Sequence, residues 1–153
     1  MNIYRTPESR FKDLADFPFS PNYLHIDDGK GAELRMHYID EGPKDGPIIF
    51  CVHGQPTWSY SYRKMIPILA DAGYRVIAPD IVGFGRSDKP TNPLDYTFAT
   101  HVKWMHDFVR RMSLKDITLV CQDWGGAISL RIVAADPERF LRVVASNTGL
   151  ADA

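Results

Sequence analysis

The stretch Ile117-Thr118-Leu119-Val120-Cys121-Gln122-Asp123-Trp124-Gly125-Gly126 decides the architecture. Its first five residues are a mostly apolar run without alternation, the composition of a strand covered on both faces of a parallel sheet. Gly125 to Ala135 reads as a helix that stops at Asp136-Pro137, since the residue before a proline is pushed out of the helical region. Only two or three residues separate strand from helix, which demands a tight bend. Two adjacent glycines in the first helical turn each cost about 1 kcal/mol relative to alanine, so close helix-strand contact around a projecting side chain is implied.

Working outward, the same kind of run recurs at Ile48-Ile49-Phe50-Cys51-Val52, Arg75-Val76-Ile77-Ala78 and Val143-Val144-Ala145. Helical stretches lie between. Tyr60 to Ala72 ends at Gly73, a good residue beyond a C-cap, with Pro67 expected to kink it. Phe98 to Met112 follows Thr97 as an N-cap and repeats Phe98, Val102, Met105, Val109 and Met112 at helical spacing. Strand alternating with helix specifies right-handed crossovers and a doubly wound α/β sheet. Before it, Glu33 to Asp40 alternates apolar Leu34, Met36 and Tyr38 with Arg35 and His37, the pattern of a half-buried strand. Residues 1–24, with Pro7, Pro18 and Pro21, read as an extended arm without regular structure over the sheet and helices of residues 25–153. The alternation stops with Asn147-Thr148-Gly149-Leu150 and three residues more, so the last strand is expected to be an uncovered edge.

Composition narrows the function. The 153 residues carry 18 Lys+Arg against 19 Asp+Glu, a net charge of -1, and are 44% hydrophobic, as in one ordinary globular domain. There is no basic field for a nucleic acid or an anionic membrane surface. No apolar run approaches the roughly 20 residues that cross a bilayer, and the first residues lack the apolar core of a leader, so the expected compartment is cytoplasmic. The two cysteines, Cys51 and Cys121, fall inside apolar strands and argue against a disulfide framework. His, Asp and Glu show no metal-ligand spacing, and neither a metal nor a cofactor is expected.

Ligands of open α/β sheets bind beyond the carboxyl ends of the strands. Three segments stand there: His53-Gly54-Gln55-Pro56-Thr57-Trp58, Pro79-Asp80-Ile81-Val82-Gly83-Phe84-Gly85, and Gln122-Asp123-Trp124-Gly125-Gly126. Taken alone, Asp123 reads as a helix cap. Beside His53-Gly54 it reads as a nucleophile on a strained turn, with a carboxylate where serine more often stands. A carboxylate with an unperturbed pKa near 3.9 is ionised at pH 7 and needs no base to attack. A serine displacing a leaving group from saturated carbon would form an ether, which water and a histidine cannot open. A carboxylate forms an ester, which they can. The expected chemistry is therefore displacement at an sp3 carbon followed by ester hydrolysis, with the backbone N–H groups of Gln55 and Trp124 as oxyanion donors. The Trp124 indole is a donor with no lone pair, suited to a departing halide; its alternative is a packing role in the core. His53 reads as a loop-holding residue and Gly83-Phe84-Gly85 as a sharp loop. His101 and His106 are expected on the flank of the sheet, far from the strand ends.

These residues resemble the haloalkane dehalogenases of the α/β-hydrolase superfamily, over about Arg5 to Ala153. The likeness rests on His53-Gly54-Gln55-Pro56-Thr57-Trp58-Ser59-Tyr60, on Pro79-Asp80 with Gly83-Phe84-Gly85-Arg86-Ser87-Asp88-Lys89-Pro90, and on Gln122-Asp123-Trp124-Gly125-Gly126. The resemblance implies an α/β-hydrolase fold, Asp123 as nucleophile, Trp124 as one of two halide-holding donors, and the amides of Gln55 and Trp124 as the oxyanion hole. It implies small haloalkanes and water as substrates and halide as a product. Gln55 stands where members carry an asparagine or an acid. The family order places an acid and a histidine after the nucleophile, whereas the five histidines here, at 25, 37, 53, 101 and 106, precede Asp123. The expectation is the first half of such an enzyme, without the cap and C-terminal strands, with the remaining half as a partner. Epoxide hydrolysis by the same aspartate is the alternative within the fold; a non-catalytic binding or assembly module is the alternative outside it.

Overall fold

The computed structural model describes residues 1–149. Four strands run parallel: β4 (Ile48–Val52), β5 (Arg75–Pro79), β7 (Ile117–Gln122) and β8 (Phe140–Ser146). The hairpin of β2 (Asn22–Asp27) and β3 (Glu33–Glu41) adds antiparallel to β5, and the sheet order is β2-β3-β5-β4-β7-β8. A two-residue β1 (Ile3–Tyr4) pairs with β6 (Lys89–Pro90) outside this sheet. The mostly parallel, doubly wound α/β sheet is thus present, and among the described residues β8 is its edge strand: Phe140 packs into the core and α3 lies against the strand, while Leu141 and Val144 are 60% and 53% exposed. Residues 150–153 of the expected unit lie outside the described residues.

Side-chain alternation divides each central strand between two cores. Phe50, Val52, Ile77, Leu119 and Cys121 face the helices α2 (Phe98–Arg111) and α3 (Asp123–Ala135). Ile49, Cys51, Val76 and Ala78 face α1 (Met65–Asp71) and the aromatics of the N-terminal arm. Both cysteines are buried and free, and burial pushes the Cys51 thiol up to about 12. The cap on α2 is a reciprocal one: Thr97 Oγ1 accepts from the Thr100 N–H while Thr100 Oγ1 accepts from the Thr97 N–H.

Four expectations need correction. The arm is not structureless: besides β1 it holds a 3-10 turn at Glu8–Phe11, and β2 starts at Asn22, before the arm was expected to end. Leu24 and Ile26 alternate with Tyr23 and His25 there, opposite β3, so pairing rather than proline content decides the segment. The expected helix from Tyr60 is a 3-10 turn at Ser59–Tyr62 followed by α1. Pro67 is the third residue of α1, where the missing N–H has no helical partner, so it costs the helix no hydrogen bond. In β3, His37 is fully buried rather than outward; its Nδ1 donates to Asp80 Oδ2 at 2.8 Å beneath the loop that follows β5. Finally, His101 is not remote from the strand ends, as the next section describes.

Candidate active site

The site is assembled where β4, β5 and β7 end. Val52 pairs with Cys121 in the parallel register, so the residues just beyond β4 and β7 emerge side by side. Asp123 then turns at φ +50, a left-handed conformation that aspartate tolerates better than most residues but that costs about 1–3 kcal/mol. The two glycines of the bend have separate reasons. A Cβ on Gly125 would lie 2.2 Å from the His53 carbonyl oxygen and 2.5 Å from that of Val52, so the helix could not approach β4. A Cβ on Gly126 would lie 2.2 Å from Thr148 Oγ1.

Asp123 is exposed at the sheet's carboxyl edge rather than buried among structural bonds. Its Oδ1 accepts from the Gln55 N–H at 2.8 Å. The backbone amides of Trp124 and Gln55 hold its carboxyl below the usual carboxylate range, against a small opposing effect of burial. The N-terminus of α3 adds to this, because unpaired N–H groups there favour negative charge. The N-cap of α3 is Gln122, without a side-chain bond, so Asp123 is not the cap. Gly54 allows the close approach: a Cβ there would meet Asp123 Cβ at 2.4 Å and Oδ1 at 2.5 Å.

Buried polar groups tie together the loops behind this carboxylate. His53 is fully buried; its Nε2 accepts from the Ile81 N–H at 2.9 Å, so Nδ1 carries the proton and donates to the Gly54 carbonyl at 2.8 Å. Burial depresses its pKa and keeps it neutral, outweighing the nearby Asp80 and the Gly54 carbonyl. It ties the loop after β4 to the loop after β5, the holding role read from its position. Asp80 accepts from the Ser59 N–H at 2.9 Å and the Arg86 N–H at 2.8 Å as well as from His37. Burial alone would raise its pKa; these bonds and the two histidines lower it instead.

A pocket of about 220 Å³ opens against Gln55 and Trp124, walled mainly by Phe84, Tyr96, Phe98 and Ile128. Trp124 is 49% exposed, with its ring centroid 6.3 Å from that of Phe98, so it borders the pocket instead of filling the core. His101 also lines the pocket, its ring held edge-on to Trp104 at 5.3 Å and tilted to Tyr96 at 5.8 Å. Burial lowers its pKa, and its Nδ1 has no partner among the described residues. The structure therefore brings Asp123, Gln55 and Trp124 together and adds Phe98 and His101, which sequence reasoning had placed elsewhere. Their spacing on the first turn of α2 was a usable signal, because a helix following a parallel strand begins at that strand's carboxyl end.

Comparison with known proteins agrees with this geometry. Residues 47–153 match the family described as alpha/beta hydrolase fold. A haloalkane dehalogenase of Psychrobacter cryohalolentis is 57% identical over 150 residues, 98% of this chain and 50% of that protein. The structure of a tetrameric haloalkane dehalogenase from Paraglaciecola agarilytica superposes with a TM-score of 0.92 at 48% identity, covering 99% of this chain and 51% of that one. An epoxide hydrolase from Vigna radiata is more distant, with a TM-score of 0.73 at 27% identity over 83% of this chain and 37% of that one. The chain spans about half the length of the curated relatives it matches.

Proposed function

The chain belongs to the α/β-hydrolase-fold family, and on that premise we propose that it carries the nucleophile and oxyanion hole of a haloalkane dehalogenase. The observation that carries the reading is an exposed carboxylate, held ionised by two backbone amides, beside an indole at the mouth of an aromatic pocket.

The steps follow from the groups present. Asp123 attacks the halogen-bearing carbon of a small haloalkane; the new C–O bond forms as the carbon-halogen bond breaks, and the electron pair leaves with the halide. The Trp124 indole N–H donates to the departing anion, an interaction worth about 1.5–3 kcal/mol. The resulting alkyl ester is opened by water, and the Gln55 and Trp124 amides that held the carboxylate stabilise the oxyanion that develops. Activating that water needs a base. His53 is committed, with one nitrogen on Ile81 and the other on Gly54. His101 lines the pocket, but among the described residues neither of its ring nitrogens is hydrogen-bonded to Asp123. The 153-residue chain incubated by itself is therefore expected to stop at the ester, and hydrolysis there would assign the base to His101.

The test is intact-mass and peptide mass spectrometry after incubation with 1-bromobutane. A stoichiometric alkyl adduct on Asp123, absent from Asp123→Asn, supports the reading; no adduct under conditions that leave the chain folded overturns it. The same carboxylate would open an epoxide, and the likeness to the Vigna radiata enzyme keeps that second reading in the experiment. Adduct formation faster with an epoxide than with the bromide would select it.

A further inference from the structure

Both polar groups of the strained Asp123 backbone are gripped from one place. Its N–H donates to the Asn147 carbonyl at 3.1 Å, and its carbonyl accepts from Thr148 Oγ1 at 2.7 Å. These two residues follow β8 directly, and Asn147 is itself left-handed at φ +44. Thr148 also sits over the first turn of α3 closely enough that a Cβ on Gly126 would lie 2.2 Å from Oγ1 and 2.6 Å from both Cβ and Cγ2. Among the described residues, no other side chain bonds the backbone of Asp123. A left-handed non-glycine residue persists only where its surroundings over-determine it, and here that determination comes from the end of the neighbouring strand, 25 residues away.

From this we infer that Thr148 is a positioning residue for the nucleophile: its hydroxyl, bonded to the Asp123 carbonyl, fixes the turn that presents the carboxylate to the Gln55 amide. The inference rests on the reading of Asp123 as nucleophile but is separable from it, because the geometry of the carboxylate can be followed without any reaction. Loss of the hydroxyl releases the carbonyl, φ relaxes from its strained value, and the carboxylate swings off the Gln55 N–H. The second glycine of the bend then has its explanation too, since it makes room for this hydroxyl.

Three variants separate the hydroxyl from its bulk. Thr148→Val keeps the volume and removes the donor; Thr148→Ala removes both; Thr148→Ser keeps the donor without the methyl. On the full chain, 1-bromobutane should alkylate the Val and Ala variants about ten- to a hundredfold more slowly at saturation, with the half-saturating concentration unchanged. The Ser variant should stay within about twofold of the parent, an effect small beside that range. Titration of the Asp123 carboxyl by 13C NMR should show its pKa rising toward the ordinary carboxylate value in Val and Ala, but not in Ser. Should Thr148→Val fail to fold, the Ala and Ser pair decides alone. Equal rates and an unmoved carboxyl titration in Val or Ala, or losses in Ser matching those in Ala, would overturn the proposal. If the parent forms no adduct while the titration still responds to the hydroxyl, the latch stands and the nucleophile reading falls.

Discussion

The Gln55 N–H donates to Asp123 Oδ1 at 2.8 Å, joining residues 68 apart in the chain. The contact is set by sheet register: Val52 and Cys121 are paired, so the first residues past β4 and β7 leave the sheet together. No loop has to close to bring the amide to the carboxylate. A donor placed in this way costs no reorganisation when charge shifts from carboxylate to ester oxyanion, which is the condition for electrostatic stabilisation to act at full strength.

One consequence is a flat pH profile. The Trp124 and Gln55 amides lower the carboxyl's pKa, so Asp123 is already ionised through the neutral and mildly acidic range. The rate of adduct formation with 1-bromobutane should be constant from about pH 8 to pH 5 and should fall only below about pH 4, near or under the ordinary carboxylate value. A rate that declines between pH 7 and 6 would place a titrating histidine in the first step, contrary to this account.

Gly54 gives a sharper test of the same contact. A Cβ there would press within 2.4 Å of Asp123 Cβ and 2.9 Å of Cγ, both side-chain atoms at the exposed rim. In Gly125→Ala the new methyl would instead meet the backbone carbonyls of His53 and Val52. Gly54→Ala is expected to slow alkylation at least tenfold with a folded chain, whereas Gly125→Ala should lose about 2–3 kcal/mol of stability, as overpacking of a rigid contact does. Urea titration and adduct mass spectrometry on the two variants measure both effects; equal stability losses would contradict the distinction.

Stability itself should depend on mild acid. Burial lowers the pKa of both His53 and His101. Unfolded, each titrates near 6.5 and takes up a proton that the folded form refuses. Their contribution is therefore complete above about pH 6.5 and is lost as pH falls through that value toward the lower folded pKa, at up to about 1.4 kcal/mol per pH unit for each histidine. Unfolding midpoints in urea between pH 7 and 5 should show this slope before any carboxylate titrates. His101→Phe removes no hydrogen bond found among the described residues and should flatten the slope without abolishing it. A midpoint independent of pH over this range would show that neither histidine is buried as described.

The parallel strands and α2 were legible because their signals are local: apolar runs without alternation, and Thr97 capping a helical period. β2 was hidden by the prolines at 18 and 21, although Leu24 and Ile26 alternate as a strand requires; its partner β3 settles the matter. The pair Asp123 and Gln55 could be read because both follow strands directly. The pocket wall could not be read from periodicity, which predicts one apolar face of α2 but not what that face meets. Phe98 and His101 reach the site because α2 starts at the carboxyl end of the sheet, while His106, further along the helix, lies near Asp136 at 3.3 Å. Thr148 carried no sequence signal at all, since a hydroxyl on a backbone carbonyl leaves no spacing to find.

Trp124 tests the leaving-group side of the reaction apart from the nucleophile. Its exposed ring borders the pocket beside Phe98, so a phenyl ring at this position keeps the wall while removing the indole N–H. If that N–H takes the charge of the departing halide, Trp124→Phe forfeits an interaction of about 1.5–3 kcal/mol present mainly after the carbon-halogen bond has begun to break. The rate of adduct formation at saturation should then fall about ten- to a hundredfold, with little change in the concentration that gives half the maximal rate. The loss should be larger for a chloroalkane than for the iodoalkane of the same chain, because chloride concentrates its charge on a smaller ion and gains more from a donor. An unchanged rate, or a loss equal for the two halides, would assign Trp124 to packing against Phe98 and leave the halide to another donor.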